Sequence, residues 1–98
     1  MAFVETNIKQ PDIFLKSLFE AATYSANPRH CLPPQLMGII TSPPKGKVVV
    51  IGAGKAAGSM AQSFEHFWLE NFPAVPQNGM VITRYGHAIT SRHIDVIE

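Results

Sequence analysis

Two glycines, a lysine and a row of small residues follow an apolar run near the middle of the chain, and their spacing could hold an anion. After the run Val48–Ile51, the sequence continues Gly52-Ala53-Gly54-Lys55-Ala56-Ala57. Glycines let the backbone of a turn approach a ligand closely, and the first N–H groups of a following helix have no partner within that helix. A strand, turn and helix of this kind are a common phosphate site. We therefore expect Gly52, Ala53 and Gly54 to contact a cofactor.

Lys55 adds a full positive charge to this turn. Backbone amides and the helix dipole already favour a pyrophosphate, so a dinucleotide site does not require the lysine. An ammonium group at this position suits a phosphoryl group in transfer, or the carboxylate of a substrate. We predict that Lys55 is catalytic. The alternative is a solvated lysine at an ordinary helix start.

The glycines match one nucleotide-binding pattern and fail another. Gly52 and Gly54 fit the dinucleotide pattern G-x-G-x-x-G/A. A P-loop would need a glycine at position 49 and a residue with a hydroxyl group at position 56, but this chain has Val49 and Ala56 there. An NAD site would also need an acidic residue after the next strand, where the chain has Arg84. Because arginine tolerates a 2′-phosphate, NADP remains an alternative cofactor.

A second polar group, Arg84, Tyr85 and His87, follows the second predicted strand. In open α/β sheets the carboxyl ends of the strands border the ligand crevice, so we expect these residues to bind substrate. His87 could act as a base near neutral pH. The alternative is that residues 85–87 only shape a tight turn.

The remaining candidate ligands show no metal-binding spacing. His30, His66 and His93 are scattered, so we predict no protein metal site and expect a divalent metal to arrive with a nucleotide. Cys31 is the sole cysteine and cannot form an internal disulfide. Together with a start that lacks a signal-peptide pattern, this predicts a cytoplasmic protein.

Length and charge limit the partners. With 98 residues the chain holds one small domain at most. The net charge is +1 and the basic residues are dispersed, which argues against nucleic acid. Every apolar stretch is far shorter than the roughly 20 residues of a membrane span, so we expect no membrane insertion.

The first half of the chain is predicted to form one helix and a connector. The helix covers Pro11–Ala26, begins with a proline suited to its first turn, and carries apolar residues at helical spacing. Those residues are Phe14, Leu15, Leu18, Phe19 and Ala22. From Pro28 to Gly46 five prolines predict a long connector with little regular structure.

The rest of the chain predicts a strand–helix–strand unit. We expect a strand at Lys47–Ile51, a helix from about Lys55 to Leu69, a turn over residues 76–79 and a parallel strand at Met80–Thr83. Ile94–Ile97 predicts the start of a further strand. The expected buried face of the helix consists of Ala57, Met60, Ala61, Phe64 and Trp68.

These elements predict an α/β fold, the N-terminal part of a Rossmann-like parallel-sheet domain. A single crossover unit leaves sheet edges and faces without cover. We therefore expect the sequence to be the opening portion of a larger protein, and on its own to be marginally stable or to self-associate.

Three stretches, in this order and at these separations, resemble one family. They are Cys31–Pro34, Val49–Ala57 and Val81–His87. Together they resemble the start of the glycerate 2-kinases that have a MOFRL domain and its associated N-terminal domain, some of which carry the label hydroxypyruvate reductase. The resemblance implies that residues 1–98 are the N-terminal portion of the MOFRL-associated glycerate kinase domain, with the C-terminal MOFRL domain absent.

The resemblance also implies an activity. Such enzymes have two α/β domains and transfer the γ-phosphoryl group of ATP, with Mg²⁺, to the 2-hydroxyl of glycerate in the cleft between them. Lys55 would be the active-site lysine, and Gly52 and Gly54 would lie against the anionic ligand. Because the family's later motifs lie beyond these residues, we expect the isolated chain to be inactive and to need the remaining C-terminal part, or a second chain, to complete the cleft. The alternatives are an NAD(P)H-dependent hydroxypyruvate reductase and a non-catalytic truncated domain.

Overall fold

The computed structural model describes residues 10–98, which form helices around a three-stranded parallel sheet. In chain order the elements are α1 (Pro11–Ala26), α2 (Pro28–Ile39), β1 (Val48–Ala53), α3 (Ala57–Asn71), β2 (Gln77–Ile82) and β3 (Ile94–Ile97). This architecture confirms the α/β class and the Rossmann-like start of a parallel sheet. The start of the chain, for which the sequence predicts no signal peptide, lies outside the described residues.

The sheet has the order β1-β2-β3, and both strand pairs are parallel. Ala53 is paired with Ile82, and Ile82 is paired with Ile97, so the three strands end at the same edge of the sheet. Chain segments that leave these ends are therefore brought together. Among residues 10–98, no strand pairs with the outer edge of β1 or of β3.

Strand β2 starts earlier than the sequence predicts. The predicted turn over residues 76–79 is wrong, because Gln77 already pairs with Val48. Gly79 serves a close approach between strands instead. A Cβ atom on Gly79 would lie 2.0 Å from the carbonyl oxygen of Val50, so no other residue fits. The glycine therefore marks the β1–β2 contact.

Helix α3 covers one face of the sheet. Its Ala57 and Ala61 pack with Val81 and Ile94 in the buried core. Trp68 is 1% exposed, and its indole N–H donates to the carbonyl of Val75 at 2.9 Å. The predicted buried face of α3 is confirmed at Ala57, Ala61 and Trp68, while Phe64 is only half-buried.

Met60 is the exception on that helix face. The sequence places it in the buried stripe, but its side chain is 46% exposed. The reason is its position next to the unpaired edge of β1, where it lines a cavity rather than the core.

The opposite face of the sheet has no cover among the described residues. Five apolar side chains of the three strands lie exposed there: Val49, Ile51, Met80, Ile82 and Ile97. Helix α2 packs on α3 rather than on this face. Within residues 10–98 the sheet therefore has one bare face, as expected of a single crossover unit.

The predicted connector at Pro28–Gly46 is wrong, since its first two thirds form α2. Asn27 starts this helix by accepting a hydrogen bond from the Arg29 amide at 3.0 Å, and Pro28 occupies the first helical position, which needs no N–H. Pro33 and Pro34 lie inside the helix, where each removes a backbone hydrogen bond. Packing against α3 compensates for this loss.

Helix α1 has the predicted bounds but not the predicted burial. Phe14 and Leu18 are half-buried, whereas Leu15 and Phe19 are more than 60% exposed. Among the described elements, this helix packs mainly on α2. Among residues 10–98, no helix combines the length and the apolar composition needed to span a bilayer.

Candidate functional site

The carboxyl ends of the strands bring the predicted site residues to one edge of the sheet. Thr83, the residue after β2, connects the three strand ends. Its backbone N–H donates to the carbonyl of Ile97 at 2.7 Å. Its hydroxyl donates to the carbonyl of Lys55 at 3.4 Å. Thr83 is buried, so this link is part of the packed structure rather than of a mobile surface.

Gly54 gives the turn after β1 its shape. Its φ of +128° is a conformation that side chains disfavour, although no atom lies within 4 Å of the position a Cβ would take. The Gly54 N–H donates to the carbonyl of Ile82, and its own carbonyl accepts from the Ala57 N–H, each at 3.0 Å. Glycine is therefore required here by the backbone conformation, and its N–H is already used within the protein.

The positive end of α3 is open next to this turn. Ala56 occupies the N-cap position without a side-chain cap, and the first turn has no acidic residue. Among residues 10–98, no backbone carbonyl accepts from the N–H groups of Lys55, Ala56 or Gly58. Unpaired N–H groups and the helix dipole together attract a negative group. The turn thus offers donors other than that of Gly54.

A cavity of about 450 Å³ adjoins the turn. It lies along the unpaired edge of β1 and is bordered by α2 and α3. Its lining consists of Leu32, residues 50–57, Met60, Ala61, Phe64 and Val81. Lys55 is the charged residue of this lining. An apolar cavity with a cation at its margin suits a ligand that has a nonpolar body and an anionic group.

Arg84, Tyr85 and His87 follow β2, as predicted, but none of them lines this cavity. All three are exposed. The His87 N–H donates to the carbonyl of Arg84 at 3.0 Å, and Gly86 has a φ of +81°, so residues 84–87 form a tight turn. The Gly86 N–H donates to the carboxylate of Glu98, which follows β3. This carboxylate was not among the sequence-predicted site residues.

Glu65 is a second residue that the sequence analysis missed. It lies on α3 and is 7% exposed. Burial alone would raise the pKa of its carboxyl group. Hydrogen bonds from the Ser91 hydroxyl and from the amides of His93 and Arg92, with the nearby His93 ring, outweigh burial and lower that pKa below its ordinary value. The sequence did contain one signal for Glu65. It lies four residues after Ala61, which the sequence predicts to be buried, and a carboxylate on the same helix face needs hydrogen-bond partners.

Residues 14–98 match the family described as “Domain of unknown function (DUF4147)”. The chain belongs to the DUF4147 family. This domain is the N-terminal domain of the glycerate 2-kinase family, so the resemblance seen in the sequence is confirmed at the level of the family.

Two relatives from Agrobacterium vitis are both named “Putative hydroxypyruvate reductase”. One is 38% identical over 84 residues, which are 86% of this chain and 17% of that protein. The other is 47% identical over 53 residues, which are 54% of this chain and 13% of that protein. The DUF4147 chain described here therefore spans less than a fifth of the length of these curated relatives. No solved structure matches it.

Proposed function

We propose that this chain forms the nucleotide-phosphate side of a glycerate 2-kinase, which transfers the γ-phosphoryl group of ATP to the 2-hydroxyl of glycerate. The observation that carries the proposal is the position of Lys55. It is an exposed cation at the margin of the cavity, next to the open N-terminus of α3. Membership of the DUF4147 family supports the same choice.

The roles of the turn residues follow from their hydrogen bonds. Phosphoryl transfer needs charge neutralisation and alignment more than covalent chemistry. The Lys55 ammonium would pair with the moving phosphoryl group or with the glycerate carboxylate. The amides of Lys55, Ala56 and Gly58 would donate to phosphate oxygens. Gly52, Ala53 and Gly54 would border the nucleotide, with Gly54 supplying the backbone conformation rather than a donor.

The residues that line the cavity are better suited to bind the phosphates of ATP than to bind the metal ion that accompanies ATP. The open amides and Lys55 offer donors and positive charge, and bound ATP supplies the phosphoryl group. No carboxylate lines the cavity, and residues 10–98 contain no cluster of three His, Cys, Asp or Glu side chains that could hold a metal. We therefore expect Mg²⁺ to enter with ATP, and we assign it no step through these residues.

Arg84, Tyr85 and His87 are proposed to bind glycerate from the second strand end. A guanidinium group can hold a carboxylate with two parallel hydrogen bonds, and the imidazole of His87 can accept a proton from the 2-hydroxyl near neutral pH. Since these side chains are exposed and outside the cavity, the cleft is complete only with further polypeptide or a second chain. A cytoplasmic location is part of this proposal.

A hydroxypyruvate reductase that uses NADPH is the second candidate. The name that both relatives carry favours it. The turn between β1 and α3 carries the dinucleotide pattern, and Arg84 rather than an acidic residue follows β2. Lys55 counts against it, because a dinucleotide turn has no need of that charge. A non-catalytic role of the 98-residue chain is the third candidate.

One chimera separates these functions. Residues 14–98 replace the matching segment of the A. vitis relative that is 38% identical. We expect ADP release with ATP and D-glycerate, and no oxidation of NADPH with hydroxypyruvate. Oxidation of NADPH without ADP release would support the reductase instead. The absence of both reactions would support the non-catalytic role.

The Lys55→Ala variant of the chimera tests the residue itself. We expect kcat/KM to fall by about a hundredfold or more, since one such cation is worth a few kcal/mol in a closed site. Lys55→Arg should restore little of the lost kcat/KM, because a planar guanidinium group replaces a compact ammonium group. Lys47→Ala, at the opposite end of β1, is the control and should retain activity. Turnover of Lys55→Ala equal to that of the control would rule out the proposed role.

A further inference from the structure

The segment that connects the parallel strands β2 and β3 contains no helix. Residues 83–93, here called the crossover segment, have to run from the carboxyl end of β2 back to the amino end of β3. Parallel strands are usually joined by a crossover helix that packs on the sheet. Here the crossover segment lies along α3 instead, and three contacts define its path.

These contacts come from one face of α3. Gly58, Gln62 and Glu65 stand at helical spacings of four and three residues, so they share a face. A Cβ atom on Gly58 would lie 3.2 Å from the carbonyl oxygen of His87, which shows how closely the segment approaches there. The amide group of Gln62 donates to the carbonyl of Thr90 at 3.3 Å. The crossover segment therefore follows α3 in the direction of the helix.

Glu65 makes the strongest of the three contacts. Its carboxylate accepts hydrogen bonds from the Ser91 hydroxyl, from the Arg92 N–H at 3.0 Å and from the His93 N–H at 2.9 Å. The partners are three consecutive residues directly before β3. A buried carboxylate is costly unless it is hydrogen-bonded, and here its donors all come from the crossover segment. The contact thus fixes the segment where it enters the sheet.

The other end of the same segment carries the proposed glycerate-binding residues. It begins at Thr83, which contacts the Lys55 carbonyl, and continues through the tight turn at residues 84–87. Immediately after that turn, the backbone of residues 87–89 packs on Gly58 in the first turn of α3. Since α3 begins two residues after Lys55, a segment held along α3 keeps this turn at a fixed place relative to Lys55.

We propose that Glu65 is a positioning residue: its carboxylate holds the crossover segment on α3 and thereby keeps Arg84, Tyr85 and His87 beside Lys55 at the carboxyl end of the sheet. The assignment of these side chains to glycerate rests on the proposed function. The holding of the segment does not, because it follows from the hydrogen bonds alone.

The first test is amide hydrogen exchange on the 98-residue chain. Glu65→Gln keeps the shape of the side chain but removes its charge, and Ser91→Ala removes one donor and is the milder variant. We expect exchange of residues 84–93 to rise by about tenfold or more in Glu65→Gln and less in Ser91→Ala, and in each variant by a larger factor than exchange of β1 and of the last turns of α3. Glu70→Gln, on the exposed side of the same helix, is the matched control and should exchange like the wild type.

Two results of this test would overturn the proposal. In one, the crossover segment of Glu65→Gln and of Ser91→Ala exchanges at the wild-type rate. In the other, every element of both variants loses protection by the same factor as the crossover segment, which would show a general contribution to stability rather than positioning.

The second test is kinetic and uses the chimera. Glu65→Gln should raise the KM for glycerate by about tenfold while the KM for ATP stays unchanged, and Glu65→Asp should recover part of the loss because it keeps the charge. An unchanged KM for glycerate, with only the amount of active enzyme reduced, would contradict positioning. If the unaltered chimera releases no ADP, the proposed kinase function fails, and the exchange test still decides whether Glu65 holds the crossover segment.

Discussion

The two faces of the sheet differ in how far this chain completes them. On the α3 face, Val81 and Ile94 are each 2% exposed beneath the helix. On the other face, Ile51 and Ile82 are 83% and 54% exposed, although the residues are equally apolar. Strand β2 supplies both Val81 and Ile82, since side chains alternate along a strand. The difference shows that, within residues 10–98, the sheet has one packed face and one face that these residues leave exposed.

The contrast has an energetic consequence. Full burial of a large aliphatic side chain contributes about 1.5–3 kcal/mol, whereas an exposed one contributes little to the free energy of unfolding. The stability of residues 10–98 should therefore come almost wholly from the α3 face. Substitutions of like residues on the two faces test this directly.

The largest effect is expected within the sheet itself, at Gly79. A Cβ atom there would collide with the backbone of Val50, so Gly79→Ala should prevent the β1–β2 pairing on which both faces depend. We expect loss of the folded state, measured by circular dichroism and by the dispersion of amide NMR signals. Gly38→Ala is the control, because no atom lies within 4 Å of the added methyl group. A folded Gly79→Ala chain would show that the register of the two strands is not the one described.

The next largest effect is expected from substituting one isoleucine on each face and comparing the losses in the free energy of unfolding. Ile94→Ala removes a fully buried side chain and should lower the free energy of unfolding by about 2–5 kcal/mol. Ile82→Ala, on the bare face, should cost less than about 1 kcal/mol. Urea denaturation followed by circular dichroism measures both. Equal losses would mean that the bare face is buried in solution.

The contribution of Glu65 should depend on pH. Its folded-state pKa lies below the ordinary value of 4.5, so its stabilising effect is present above that value and is lost as the pH falls through the folded-state pKa. At neutral pH, Glu65→Gln should be less stable than the wild type by about 1–3 kcal/mol, because donors to a charged partner are left poorly paired. Urea midpoints measured at decreasing pH should converge below the ordinary pKa. A constant difference across that range would contradict a charged Glu65.

The smallest effect on stability is expected from making the bare face polar. Ile51→Thr combined with Ile82→Thr keeps two residues that favour strands and should change the free energy of unfolding by less than about 1 kcal/mol. The effect should appear in association instead, since an exposed apolar sheet face promotes contact between copies. Analytical ultracentrifugation should show less association of the double variant than of the wild type. Identical sedimentation of the two proteins would argue against the bare face as the cause.

Much of the fold could be predicted because apolar periodicity fixes elements locally. The bounds of α1 and β3 agree with the prediction, and the strand–helix–strand order around Lys55 is correct. The helix at residues 28–39 could not be predicted from its proline content, because packing on α3 compensates for Pro33 and Pro34. The Asn27-Pro28 pair that starts this helix was nevertheless visible in the sequence.

The site was predictable in its residues more than in its contacts. The glycine turn and Lys55 lie where the sequence places them, at the end of β1 and before α3. That the Gly54 N–H is used by Ile82 depends on the pairing of β1 with β2, which no local pattern encodes. Glu65 went unnoticed for the same reason, since its donors lie 26 to 28 residues away in the chain.

The single tryptophan gives this molecule an intrinsic optical label at a useful place. The Trp68 ring stacks on Phe64 with a centroid distance of 5.4 Å and lies 4.8 Å from the ring of Phe72, so its emission should be blue-shifted in the folded chain. The bond from its indole N–H to Val75 joins the end of α3 to the segment that enters β2. A red shift of this fluorescence would therefore report, without any added dye, the moment at which helix and sheet separate.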